Sequence, residues 1–129
     1  MASSFPKKER LKSKKMIEQV FQDGKTLKQY PMKLFYLRAE LTEGSRCQAV
    51  MAVPKKRIRQ AVKRNRIKRL MREAYRQNKE PIFNKMVGNY ALLFLYLGKE
   101  GPEYREVEGA MKTLLLRFLN EIQDERKDQ

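Results

Sequence analysis

The side chains best suited to chemistry in this chain are guanidinium, ammonium and amide groups between positions 64 and 76: Arg64, Asn65, Arg66, Lys68, Arg69, Arg72 and Arg76. An arginine presents a planar fork of N–H donors that matches two phosphate oxygens, and it can also stack on bases. A neutral amide can bridge a phosphate, a ribose hydroxyl or a base edge. These residue types predict nucleic-acid binding.

Helical spacing separates these groups from the apolar residues between them. At roughly 100° per residue, Arg64, Asn65, Lys68, Arg69, Arg72 and Arg76 share an arc of about 140°, opposite Ile67, Leu70, Met71 and Ala74. Arg66 and Lys63 point off this arc and would widen it. A charged helix face is often merely solvated, but such faces usually mix signs, and Glu73 is the only acidic residue between positions 55 and 76. We interpret the arc as a binding face.

The sequence gives no sign of a catalytic apparatus. It contains no histidine, and its aspartates fall in a turn, at Asp23, or in a charged tail, at Asp124 and Asp128. The glutamates lie mainly on exposed helical positions, so no general base or metal-holding cluster is evident. Cys47 is the single cysteine, which excludes an internal disulfide and suits a reducing cytosol. We expect a protein that is not catalytic alone and holds no metal of its own.

Composition favours a polyanionic partner. The 129 residues carry a formal charge of +15 with 41% hydrophobic residues, which fits one domain with a modest core. Nucleic acid is the leading partner for such a charge, while an anionic membrane surface or an acidic protein stays open. No apolar run has signal-peptide or membrane-spanning length, so we expect a soluble, cytoplasmic protein.

Periodicity predicts an α+β sandwich of helices on a small sheet, in the order α-β-β-α-β-α. Ser13 caps a first helix that ends at Asp23 and Gly24. Strands are expected at residues 30–38 and 48–53, paired as a hairpin through a turn at 42–45, and a buried central strand at 90–97. Helices are expected at 58–78 and 107–122, and a further short strand near 24–28. The predicted organisation is a basic N-terminal arm (1–12), one RNA-binding domain (13–125) and a charged tail (126–129).

Residues 58–75, IRQAVKRNRIKRLMREAY, resemble the signature segment of the bacterial ribonuclease P protein family. Weaker similarity extends from Arg10 and Leu11, through Val20, Phe21 and Gly24, to the closing strand and helix. The resemblance implies a ribosomal-protein-like fold with a left-handed βαβ crossover, against the usual right-handed rule. It also implies a subunit of a ribonucleoprotein that removes the 5′ leader of precursor tRNA, in which the RNA performs the hydrolysis and holds most of the Mg²⁺.

By the same resemblance, the residues of the cationic helix dock on the catalytic RNA. A cleft between the first helix and the sheet holds the single-stranded leader, at Ile17, Phe21, Lys33 and Phe35. Core packing explains Ile17 and Phe21 equally well, which leaves Phe35 as the favoured leader contact.

The sequence departs from the family pattern at two positions: the family often has an aromatic residue in place of Ile17 and usually has glycine in place of Arg59. No obligate protein partner is evident; a ribosomal or general RNA-chaperone protein is the alternative, and a DNA-binding architectural protein is a weaker third.

Overall fold

The computed structural model describes residues 5–40 and 46–127, except for the side chains of 126 and 127, and has the predicted α+β architecture. A short 3₁₀ turn at Lys7–Glu9 precedes the helix α1, Lys14–Asp23, whose first turn is capped by the hydroxyl of Ser13. The remaining elements are β1 (Lys25–Gln29), β2 (Met32–Arg38), β3 (Cys47–Ala52), α2 (Ala61–Lys85), β4 (Tyr90–Tyr96) and α3 (Tyr104–Lys127).

The four strands form one sheet in the order β1-β2-β4-β3. β1 and β2 form the hairpin, so the predicted short strand near 24–28 is confirmed. The expected hairpin between β2 and β3 is wrong, because β4 lies between them, antiparallel to β2 and parallel to β3. β4 is apolar and its side chains are almost wholly buried on both faces of the sheet. This burial is expected for a strand that lies between two others with a core on each face. β3 buries only alternate residues, which suits an edge strand.

The crossover from β3 through α2 to β4 is left-handed, as the resemblance implies. The Tyr90 side chain faces the core beneath α2, and its N–H donates to the carbonyl of Arg46 at 2.9 Å. In a strand of L-residues running upward, a residue whose side chain points at the viewer directs its N–H and C=O to the right. When the sheet is viewed from the side of α2 with β4 running upward, β3 therefore lies to the right of β4. The chain crosses in front of the sheet toward the left, against the usual hand.

The sheet has a core on each face. Leu34, Leu92 and Phe94 pack beneath α2 and α3, whereas Phe35 and Leu93 pack on the opposite face beneath α1. The two faces follow from the alternation of side chains along each strand. The sheet therefore separates the surface of α2 from the surface around α1.

The element ends differ from the predictions at several points. α2 begins only at Ala61 and continues through Pro81, since Ile82 adds a further buried contact. Residues 5–11 pack on the domain instead of forming an exposed arm, because Leu11 is buried and Phe5 packs against Tyr75. α3 takes up residues 126 and 127 of the expected tail. Residues 1–4, the turn at 42–45 and residues 128–129 lie outside the described residues.

Candidate nucleic-acid interface

The outward face of α2 is set by the residues that anchor its other side. Ile67, Met71, Ala74 and Tyr75 are fully buried against the sheet and α3. Because these positions recur at three- and four-residue spacing, they fix the rotation of the helix about its axis. The side chains at intervening positions must therefore point away from the core.

Five of the predicted binding residues lie together on this outward face, which we call the α2 surface: Asn65, Arg66, Lys68, Arg69 and Arg72. Lys68 is half-buried and the other four are exposed. Among the residues that the structure describes, none of the five has a hydrogen bond or ion pair within the protein. Their donors are thus available to a ligand.

Two other predicted residues, Arg64 and Arg76, are half-buried and already engaged. Arg64 donates from Nη1 to the carbonyls of Ile58 at 3.0 Å and Arg59 at 2.7 Å, which holds the segment entering α2. Arg76 donates from Nε to the Glu73 carboxylate at 3.0 Å. This hydrogen bond lowers the pKa of Glu73, and the carboxylate in turn raises the pKa of Arg76. Arg76 is therefore partly neutralised, and Arg64 has a structural task.

Lys63, which the helical spacing placed beside the predicted arc, lines a cavity of about 560 Å³ at the start of α2 together with cations outside the predicted set. Four cations line it, with Glu100 as the one acidic residue among the lining residues: Arg57, Arg59, Lys63 and Lys99. The guanidinium of Arg57 donates to the carbonyl of Leu97 at 2.7 Å, which joins the two loops. Lys99 follows β4 and is distant in sequence, so only the tertiary structure brings it here. These side chains extend the cationic surface beyond the helix.

The predicted cleft residues come together on the opposite face of the sheet. The rings of Phe21 and Phe35 are stacked, with centroids 5.1 Å apart, and the Lys33 ammonium lies 5.1 Å from the centre of the Phe35 ring. Ile17 packs half-buried against the same cluster. Phe35 is only 7% exposed and Phe21 is 54% exposed. The favoured leader contact, Phe35, is therefore covered, and the ring open to a ligand is Phe21.

The floor beside α1 includes apolar residues that the sequence analysis did not single out. Val50, Ala52 and Leu95 are half-buried on this face, and the sheet register aligns Lys33, Leu95 and Ala52 in one row across three strands. The alternation along β3 was the available signal for Val50 and Ala52. We call this part of the surface, with Ile17, Phe21, Lys33 and Phe35, the α1 cleft, after the cleft that the family resemblance implies.

Two negative findings apply to residues 5–40 and 46–127. No cluster of three or more His, Cys, Asp or Glu side chains is arranged to hold a metal ion there. None of the helices in that part of the chain combines the length and the apolar character needed to span a bilayer.

Comparison with known proteins gives consistent matches. A family model described as Ribonuclease P matches residues 5–119. A "Ribonuclease P protein component" of Porphyromonas gingivalis is 38% identical over 120 residues, covering 90% of this chain and 87% of that protein. One from Borreliella burgdorferi is 33% identical, covering 83% and 87%. The structure of the RNase P protein from Thermotoga maritima is similar in fold, with a TM-score of 0.67 at 22% identity, covering 84% of this chain and 96% of that one.

Proposed function

Since this chain belongs to the ribonuclease P protein family, and is thus a subunit of the tRNA-processing ribonucleoprotein, we propose that it uses two surfaces to bind two RNA segments. The α2 surface binds the catalytic RNA, and the α1 cleft binds the 5′ leader of precursor tRNA. A ribosomal or general RNA-chaperone role is not favoured by the comparisons.

The observation that carries the first assignment is the set of exposed cations on α2 that lack an internal partner. The helix fixes the positions from which these side chains extend, and the planar guanidinium of an arginine loses less rotamer entropy per hydrogen bond than the ammonium of a lysine does. Each phosphate neutralised releases condensed counterions, so affinity should fall with salt with a slope of roughly 0.7 to 0.9 per contact. The buried opposite side of α2 keeps the array in place.

The α1 cleft suits a single strand better than a duplex. Phe21 offers an exposed ring on which a base can stack, supported from behind by Phe35. Stacking tolerates different bases, which suits leaders of varying sequence. The ammonium of Lys33 lies beside the rings and can neutralise a leader phosphate.

The chemistry itself is assigned to the RNA. Phosphodiester hydrolysis assisted by metal ions needs groups that hold the cation, and RNA phosphates supply such oxygens. We therefore assign the required Mg²⁺ mainly to the catalytic RNA, and the protein's part to binding and orientation. Because its RNA partners reside there, we place the protein in the cytoplasm.

The test is a cleavage assay with a bacterial ribonuclease P RNA and a precursor tRNA, at a magnesium concentration too low for the RNA alone. Adding the chain should raise the rate of 5′ leader removal, and the chain without RNA should cleave nothing. An unchanged rate, with the chain shown to be folded, would overturn the proposal. A basic protein of equal size and charge serves as the control for nonspecific stimulation.

A further inference from the structure

The outer edge of β3, away from β4, is covered by the segment of residues 5–12. The N–H of Leu11 donates to the carbonyl of Ala49 at 2.9 Å, and the Gln48 amide donates to the carbonyl of Lys8 at 3.1 Å. The first bond satisfies a backbone carbonyl that an open strand edge would leave exposed, and the second adds a contact from the side-chain amide of Gln48. The segment is thus held at a fixed position along β3.

A buried ion pair holds the same segment against α2. Glu9 pairs with Lys79, whose side chain is only 7% exposed. The Lys79 ammonium also lies 5.8 Å from the centre of the Phe5 ring and 6.0 Å from that of Tyr75. A buried cation that lost its carboxylate would be strongly destabilised. The pair therefore favours the docked position of the segment.

Docking creates a small cationic pocket of about 170 Å³ between the segment and α2. Arg10, Lys12 and Arg72 line it, together with apolar residues and the backbone of β3. Within the described part of the chain, Lys12 and Arg72 make no hydrogen bond or ion pair. Arg10 is held over the Phe5 ring, 5.4 Å from its centre, and its Nε donates to the carbonyl of Phe5 at 3.2 Å. No acidic side chain lines the pocket.

The pocket lies where the two faces of the sheet meet. Among its lining residues, Met51 faces the core under α2, and Val50 faces the α1 cleft. Arg72 belongs to the α2 surface, and Leu11 packs with the cluster beneath α1. A strand of RNA passing around the β3 edge from one surface to the other would meet this pocket.

We propose that the pocket of Arg10, Lys12 and Arg72 binds a phosphodiester group of RNA and connects the α2 surface with the α1 cleft. Its size and cationic lining fit a phosphate better than a base, and three cations can neutralise one or two phosphates. The inference rests on the proposed function. Glu9 and Lys79 are positioning residues, because they hold the segment and do not line the pocket.

The test compares Arg10→Ala/Lys12→Ala with the control Arg105→Ala/Lys112→Ala, which removes the same charge from exposed positions on α3. Affinity is measured over a range of salt for the catalytic RNA and, in the holoenzyme, for precursor and mature tRNA. The pocket variant should bind about tenfold more weakly and lower the salt slope by roughly 1 to 2. Loss in the catalytic-RNA assay identifies that RNA as the phosphate source, and loss confined to the precursor identifies the leader.

Behaviour equal to the control in both assays would overturn the inference. The variant Arg69→Ala separates this outcome from failure of the proposed function: weaker RNA binding by Arg69→Ala with a normal pocket variant would refute the pocket alone. Glu9→Gln should lower the salt slope although it removes no cation, and Glu9→Gln/Lys79→Met should restore it by replacing the ion pair with an apolar contact. A wild-type slope in Glu9→Gln would refute the positioning role.

Discussion

The α2 surface and the α1 cleft lie on opposite faces of the sheet and are built in different ways. The α2 surface comes from one helix, and its exposed donors are independent of one another and unpartnered in the described structure. The α1 cleft needs one helix and at least two strands, and its rings touch each other. A substitution on the α2 surface should therefore remove binding alone, whereas one in the α1 cleft can remove binding, stability or both.

The largest effect is expected from Phe35→Ala in the α1 cleft. Phe35 is nearly covered and packs with Phe21 and Leu93, so the truncation leaves a cavity. We expect the free energy of unfolding to fall by about 3 kcal/mol, the lower end for a buried phenylalanine. Chemical denaturation measures this, with Phe35→Leu as the milder control. An unfolding free energy equal to wild type would show that Phe35 is not a structural support for Phe21.

The next largest effect is expected from Arg66→Ala/Arg69→Ala on the α2 surface. Both side chains are exposed and neither has an internal partner in the described structure, so thermal stability should not change. Affinity for the catalytic RNA should fall roughly 10- to 100-fold, because two charge-assisted phosphate contacts are lost. Filter binding measures the affinity for the catalytic RNA, and thermal melts measure the stability.

Arg105→Ala/Lys112→Ala on α3 is the matched control for that variant, since it removes equal charge. If the α3 variant lost as much affinity, net charge and not the position of the cations would govern binding. A fall in melting temperature in the α2 variant would instead give Arg66 or Arg69 a structural role. Either result would contradict the expected difference between the α2 surface and the α1 cleft.

A smaller effect is expected from Phe21→Ala, which removes the exposed ring of the α1 cleft. Binding of precursor tRNA by the holoenzyme should weaken by about 1 to 2 kcal/mol, the worth of one stacked base. Mature tRNA, which has no leader, should bind as before. Leu116→Ala, which truncates an equally exposed apolar residue on α3, is the control. Equal losses of affinity for precursor and mature tRNA would show that the α1 cleft does not bind the leader.

The difference between the regions also explains what the sequence could predict. The α2 surface follows from local periodicity, since Asn65, Arg69 and Arg72 are within two helical turns and the buried side is equally regular. The prediction for Arg76 could have been refined, because Glu73 lies three residues before it and such spacing allows an ion pair. The role of Arg64 could not be predicted, because it depends on the path of residues 58–60.

The remaining features could not be predicted from the sequence because they depend on pairing between distant segments. The run at 90–97 is visibly a central strand, yet nothing local shows that it would separate β2 from β3. The exposure of Phe21 and the burial of Phe35 depend on how α1 lies across the sheet. The docking of residues 5–11 depends on an ion pair between Glu9 and Lys79, which are far apart in sequence. In each case the missing information is a contact between distant segments.

The smallest effect, opposite in sign, is expected from Glu73→Gln beside the α2 surface. The change loosens the ion pair that occupies Arg76, so affinity for the catalytic RNA should rise by about two- to fivefold, as expected for an exposed pair. The neutral variant Glu73→Gln with Arg76→Ala is the control, and it should show no gain. A gain that persisted in this control, whose net charge equals that of the wild type, would place the effect on the loss of the Glu73 carboxylate itself and not on the release of Arg76.

The ion pair of Glu73 and Arg76 also predicts the direction in which the stability of the protein changes with pH. Arg76 lowers the pKa of Glu73 below its ordinary value of 4.5 in the folded protein. The pair therefore contributes to stability above that value, and the contribution is lost as the pH falls through the lower folded pKa. Wild type should melt slightly above Glu73→Gln at pH 7, and the two should converge in acid. A difference that was independent of pH would show that the carboxylate's charge does not stabilise this end of α2.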